Sequence, residues 1–251
     1  MESNKLKIIS LFSGVGGLDL GFEKSGFEIA VAVEEDSSCC NTLRLNRPNL
    51  EIIEDDISKV STKLILKRGN LKPLQTAIVI GGVPCQPFSL AGERMGMDDP
   101  RGKLILEFAR VVRESIPKCF VIENVKGMVN WEKGKAIEAI KKEFEDPIKY
   151  QKRNYQYKIS HQVLNSADFG VPQKRERLFI VGNRVDKDFI FPEPTHADLV
   201  KENQKDIFGK EYKPYANVED AIADLPPADE PSDAAKRVSQ SIKGRIKKHG
   251  Y

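Results

Sequence analysis

The sequence predicts an open, mostly parallel α/β sheet with helices on both faces. Three observations carry that expectation. Short apolar runs alternate along the chain with stretches that are apolar at the helical period. The resulting β-α-β-α order is the pattern of a sheet whose helices cross over between parallel strands. A glycine-rich turn, FSGVGG at 12–17, joins the first apolar run to the first helical stretch.

The elements follow in order. Leu6–Phe12 reads as a buried strand, and Leu18 to about Ser25 as the first helix. Ile29–Val33 is the second strand. Ser38–Leu45 is the second helix, with Ser37 or Ser38 suited to cap it. Ile52–Ile53 is a short third strand ending at Asp55–Asp56, and Ala77–Ile80 is the fourth. Lys103–Ser115 is helical, since Leu104, Phe108, Val111 and Val112 share one face. Cys119–Ile122 is the fifth strand, Lys135–Phe144 a helix, and Ile159–Leu164 and Leu178–Val181 are later strands around a loop. After Val185 the chain turns rich in Pro, Asp, Glu and Lys. It shows little periodicity there apart from VEDAIADL, and ends in a basic stretch, Lys236–Lys248. Two regions are therefore expected, 1–185 and 186–251.

Composition narrows the classes. With 251 residues, 40% of them hydrophobic, the chain can bury a real core and is not globally disordered. Four cysteines without a CxxC pair make neither a disulfide framework nor a cysteine zinc site, so no metal is expected. The N-terminus lacks a signal-peptide apolar region, and no apolar run reaches membrane-spanning length. A cytoplasmic, reducing setting without membrane contact is expected, where a thiol can stay reactive. The net charge of +3 allows a nucleic-acid partner without demanding one.

Five stretches carry chemistry. FSGVGG lets backbone approach a ligand and aims helix N–H groups at it, although a tight turn alone explains the glycines as well. Glu34 ends the second strand, where a carboxylate can bind ribose hydroxyls. Asp56 ends the third, where it could accept from an adenine amino group or equally cap a helix. Three such features at successive strand ends point to a nucleoside cofactor. In GGVPCQPFS (81–89), Gly81 and Gly82 permit close approach and Pro84 stiffens the position before Cys85. That reads as a presented nucleophile, whereas Cys39, Cys40 and Cys119 read as structural thiols. ENV (123–125) follows the fifth strand, so Glu123 is expected beside Cys85 across strand ends, able to hold or protonate a ring nitrogen. In QKRER (173–177), alternation sends Gln173, Arg175 and Arg177 to one side if the segment is extended. Segment 89–102, with Arg94 and Arg101, reads as a lid or as a plain surface loop.

In this order the motifs resemble those of the DNA cytosine-5 methyltransferases, over residues 5 to about 185; PCQPFS, ENV and QKRER together are specific to that family. The whole chain looks especially like the catalytic subunit of a split, two-chain member. The resemblance implies a Rossmann-like, S-adenosylmethionine-dependent methyltransferase fold, here without the family's target-recognition domain. It implies that Phe12, Ser13, Gly14, Gly16, Gly17, Glu34, Glu35, Asp56, Ile57 and Pro84 hold S-adenosylmethionine, released as S-adenosylhomocysteine. It further implies that Cys85 attacks cytosine, Glu123 engages its N3 and Arg175 helps place both. Gln86, Ser89, Arg94, Arg101, Asn124, Gln173 and Arg177 then serve the base, the DNA or the lid. The implied partners are double-stranded DNA and a smaller subunit supplying target recognition and the closing motifs, for which 186–251 would form a subunit or DNA interface. The implied setting is a restriction-modification system. The alternatives are a tRNA cytosine-5 methyltransferase and a non-catalytic DNA-binding regulatory module of the same fold.

Overall fold

The computed structural model describes residues 5–84, 103–130, 134–144, 146–185, 188–198, 209, 211–223 and 233. In chain order its main elements are β1 (Lys7–Leu11), α1 (Gly17–Lys24), β2 (Glu28–Glu34), α2 (Ser37–Asn46), β3 (Ile52–Glu54), α3 (Thr62–Arg68) and β4 (Ile78–Gly82). There follow α4 (Lys103–Ser115), β5 (Cys119–Val125), α5 (Gly127–Asn130), α6 (Lys135–Lys142), the hairpin β6 (Ile148–Tyr150) and β7 (Arg153–Tyr155), β8 (Lys158–Asn165) and β9 (Glu176–Asn183). The chain divides into two compact units. The first holds Met1–Asn165 with Glu176–Glu193, and the second Ser166–Arg175 with Pro194–Tyr251.

The first unit is built on a seven-stranded sheet in the order β3-β2-β1-β4-β5-β9-β8. The strands from β3 to β5 are parallel, and β9 runs antiparallel to both β5 and β8. The expected mostly parallel α/β sheet is thus present. Strand alternation sorts the core into two layers. Ile9, Leu11, Val31, Val79, Phe120 and Ile122 pack with Ile65 of α3, Phe108 and Val112 of α4 and Ile140 of α6. On the opposite face, Ile8, Ile29 and Ile80 meet Leu18 and Phe22 of α1, and Ala32 meets Cys40 and Leu43 of α2. In α4, Ile105 takes the deep position and Leu104 is only partly buried. Strand order reverses between β1 and β4, and the carboxyl ends at such a switch point leave a crevice.

The second unit contains a short 3-10 turn (Ser166–Phe169), the paired β10 (His196–Ala197) and β11 (Lys213–Pro214), and α7 (Val218–Ile222). Patterning places a boundary between 185 and 186. The packing instead assigns 166–175 to the second unit, because Thr195 N–H donates to the Asp168 carbonyl at 2.8 Å and the Tyr215 hydroxyl to Asp168 Oδ1 at 2.6 Å. That bond to a carboxylate holds the Tyr215 hydroxyl proton and pushes its pKa up to about 12. Helix α7 opens with a reciprocal Asn217–Asp220 capping box.

Candidate functional site

The turn after β1 is the first part of the site. Phe12 has φ 53°, a strained value for a residue with a side chain, of the kind that clusters at ligand sites. Gly16 has φ 80°, and a Cβ there would lie 2.5 Å from Arg47 Nη1 and 2.8 Å from Leu43 Cδ2. Only glycine fits that position. Arg47 follows α2 and donates to the Gly16 carbonyl at 3.1 Å while pairing with Glu23 at 2.9 Å. Gly14 (φ 54°) faces open space. Gly17 is exposed at the first turn of α1, whose cap residue, Gly16, makes no side-chain hydrogen bond.

Glu34, the last residue of β2, is held by three main-chain donors. Gly14 N–H reaches Oε2 at 2.7 Å, and the N–H groups of Glu35 and Asp36 reach Oε1 at 3.0 and 2.9 Å. A carboxylate offers about four acceptor positions, so one on Oε2 is left for a ligand hydroxyl. Next to it Asp36, and not Ser37 or Ser38, caps α2 by accepting from Cys39 N–H at 2.8 Å. That hydrogen bond holds the Asp36 carboxyl below its ordinary range. Asp is as good a cap as Ser, and it stands where the backbone is still extended.

At the end of β3, Asp56 caps a 3-10 turn (Ile57–Lys59) by accepting from Ser58 N–H at 2.9 Å, which lowers its carboxyl from the ordinary value. Both readings of Asp56 therefore concern one carboxylate, since it also lines a cavity. That cavity opens at the carboxyl ends of β1–β4. Phe12, Glu34, Asp56, Ile57 and Leu104 form part of its wall, with Glu35 and Pro84. An aromatic face, apolar side chains and four acidic residues, Glu34, Glu35, Asp55 and Asp56, suit a nucleoside with its hydroxyls and amino group, and the open flank at Gly14 leaves room for a chain leading from it.

Along the same strand ends, Gly82 of β4 pairs in register with Glu123 of β5. The Glu123 carboxylate meets Arg177 Nε at 3.0 Å, each side chain one-quarter exposed. Arg177 lies opposite Val125 on β9, so the pair joins neighbouring strands. Asn124, which the resemblance assigns to base binding, is buried. Its Nδ2 donates to the Val83 carbonyl at 3.2 Å and its Oδ1 accepts from Val125 N–H, which fixes the end of β4 just before Cys85. Gly81 is needed for packing, since a Cβ there would press on the Phe108 ring and the Leu11 carbonyl at 3.0 and 3.1 Å.

The extended run expected through 173–177 begins only at Glu176. Gln173 sits in a bend whose N–H returns to the Val171 carbonyl at 2.7 Å, so the alternation is broken before Arg175. Gln173 and Arg175 belong to the second unit, where the Arg175 carbonyl accepts from Ser166 N–H and Oγ. Cys85, Gln86, Ser89, Arg94 and Arg101 lie outside the described residues, as does Lys236–Lys248. Cys40 is fully buried, and burial pushes its thiol up to about 11; Cys39 and Cys119 are partly buried with thiols also raised by burial. Among the described residues no group of three or more acidic, His or Cys side chains could hold a metal, and no helix is long and apolar enough to cross a membrane. Sequence reasoning did not single out Arg47, Ser10 or Asp19. A polar Ser inside the first apolar strand was the one available signal.

A mostly parallel sheet with a crevice at its reversal point, an acidic residue ending β2 and a glycine turn ending β1 define a methyltransferase-type fold. The chain belongs to the C-5 cytosine-specific DNA methylase family, which it matches over residues 6–249. It is 63% identical to Type II methyltransferase M.AquIA of Picosynechococcus, over 98% of this chain and 99% of that one. It is 40% identical to Type II methyltransferase M1.HphI of Haemophilus parahaemolyticus, over 77% of this chain and 50% of that one. Among solved structures it resembles a protein described as a prophage-encoded DNA modification methyltransferase (E. coli), with a TM-score of 0.67 and 29% identity over 89% of this chain and 56% of that one. Spodoptera frugiperda DNMT2 shares the fold, with a TM-score of 0.55 and 23% identity over 75% of this chain and 53% of that one. The chain thus spans nearly all of the first of these relatives and about half of the others.

Proposed function

We propose that the chain is the catalytic part of a DNA cytosine-5 methyltransferase of a restriction-modification system, working with a separate chain that reads the target. The observation that carries this reading is the line of strand ends. The cavity at Phe12, Glu34 and Asp56, the β4 end before Cys85, and the Glu123–Arg177 pair follow one another along a single sheet edge.

When bound, S-adenosylmethionine supplies an electrophilic methyl group. Phe12 and Ile57 would flank its adenine, Asp56 its amino edge and Glu34 its ribose. The chain's own residues activate the acceptor. The Cys85 thiolate adds to C6 of cytosine, and the carboxyl group of Glu123, in its protonated form, gives its proton or a hydrogen bond to N3, so that C5 becomes nucleophilic. After C5 is methylated, loss of its proton and cleavage of the sulfur–C6 bond restore the ring and free the thiol. Arg177 holds the Glu123 carboxylate, and Asn124 fixes the carbonyl two residues before the nucleophile. The base must leave the duplex for this chemistry, at a cost of about a few kcal/mol. Gln173 and Arg175 are assigned to the flipped base, and Gln86, Ser89, Arg94 and Arg101 to closure over DNA.

The test is Cys85→Ser, assayed with its partner chain. Labelled methyl transfer to duplex DNA is expected to vanish while S-adenosylhomocysteine still binds, and DNA carrying 5-fluorocytosine is expected to trap wild-type protein through Cys85. Retained turnover, an adduct at another cysteine, or methylation of tRNA in place of duplex DNA would overturn the reading.

A further inference from the structure

The cavity wall has a support that the chemistry above does not use. Asp56 and Ile57 line the cavity from the turn after β3, and Leu104 lines it from the first turn of α4. The 3-10 turn is short. Its own bonds run from Lys59 N–H to the Asp56 carbonyl at 2.9 Å and from Val60 N–H to the Ile57 carbonyl at 3.2 Å. A single turn of this kind is not stable by itself, so what it leans on fixes its position.

It leans on Arg110 of α4. The guanidinium sends Nη2 to the carbonyls of Ile57 and Val60, each at 3.0 Å, and Nη1 to Thr62 Oγ1 at 2.9 Å. Ile57, Val60 and Thr62 are all buried. Thr62 opens α3, so one planar group spans the link between β3 and α3. A carbonyl has two lone pairs, so Ile57 keeps its turn bond while accepting from Arg110. Glu107, on the same face of α4, aims the guanidinium: its Oε2 accepts from Nε at 2.8 Å and meets Nη2 at 2.7 Å. A rigid fork holds such a set of acceptors in one geometry. A lysine ammonium, a point charge on a flexible stem, does not. The turn that carries Asp56 and Ile57 is thereby pinned to the helix that carries Leu104. The gap between them decides which flat ring fits, and how squarely the edge of that ring meets Asp56.

We propose that Arg110 is a positioning residue that sets this gap, and with it how strictly the protein discriminates among purine bases on the methyl donor. Thr62 anchors the guanidinium and Glu107 orients it. The inference rests on the reading of the cavity as an S-adenosylmethionine site.

The test compares S-adenosylhomocysteine with S-inosylhomocysteine, in which an oxo group replaces the adenine amino group, by calorimetry on the full chain. The ribose and the aminoacyl end are the same in both, so the base alone differs. Wild-type protein is expected to prefer S-adenosylhomocysteine by about tenfold or more, as a hydrogen bond to a carboxylate implies. In Arg110→Lys, which keeps the charge and loses the fork, that preference is expected to fall to near unity, with most of the loss in S-adenosylhomocysteine. Arg113→Lys is the control. Arg113 also lies on α4, but it donates to the Glu143 carbonyl at 2.9 Å, outside the cavity wall. That variant is expected to lower the urea midpoint and keep the preference. Should Arg110→Lys fail to fold, Thr62→Val, which removes one of the three acceptors, decides, and is expected to narrow the preference by about threefold or more. An unchanged preference in the deciding variant, equal losses for both ligands, or equal binding of both by wild-type protein would overturn the inference while leaving the cofactor site standing. If neither ligand binds wild-type protein, the cofactor reading itself falls, and this inference with it.

Discussion

At Glu34 a carboxylate ends a strand and at once accepts three main-chain N–H groups, from two sides of the crevice. Glu34→Gln replaces one oxygen by an amide nitrogen, which must then face an N–H donor. An unmet donor costs about 1–3 kcal/mol. The expected result is a lower urea midpoint, together with S-adenosylhomocysteine affinity at least about tenfold weaker by calorimetry; unchanged affinity would make Glu34 a structural strand end. Glu34 was legible in the sequence because its position at a strand end follows from the apolar run before it. Arg47 was not, because its use depends on where α2 lands against Gly16 in space. Asn124 shows the converse limit. The apolar run suggested that it follows the fifth strand, but it lies inside β5, and its buried amide turns inward onto Val83.

The elements with the clearest apolar runs or periods were the most legible. Strands β1, β2 and β5 and helix α4 follow their apolar patterns closely. The hairpin of β6 and β7 carried no turn signature, because Gln151 and Lys152 occupy left-handed positions, φ 46° and 64°, that hairpins commonly give to Asn or Gly. Helix α3 was missed although Ser61 caps it, since a short apolar run such as LIL fits strand and helix alike. Strand β9 shows what packing adds to pattern. Gly182 lies opposite Phe120, whose ring stacks on Phe144 at 4.4 Å and also meets Phe108 and Tyr157. A Cβ at Gly182 would run into that ring. Gly182→Ala is therefore expected to cost about 1–3 kcal/mol of stability, the range for overpacking, read as a lower urea midpoint at unchanged slope. Gly26→Ala, with open space but a left-handed φ of 90°, is a control for backbone strain alone.

For the whole molecule, the basic residues of this chain can hold phosphates, which gives affinity without sequence preference. The chain also spans about half the length of relatives such as M1.HphI and the prophage-encoded methyltransferase. Purified alone, it is expected to methylate no defined site in mixed-sequence duplex DNA, and to gain that activity when the proposed target-reading chain is added. Site-specific methylation by the chain alone, at a rate matching the mixture, would refute the two-chain reading. The glycine turn has a further consequence at this scale. It is tied down by Glu34 from β2, by Arg47 after α2 and by the Ser13–Ser10 and Ser10–Asp19 hydrogen bonds at 2.9 and 2.6 Å, so a ligand entering there finds its contacts already ordered. Little conformational entropy remains to be lost on binding, and the free energy of association is passed to the fold through linkage. Ligand at a hundred times its dissociation constant would add about 2.7 kcal/mol to unfolding. Thermal stability then becomes a gauge of occupancy, and loosening any one of the three ties should flatten the gauge.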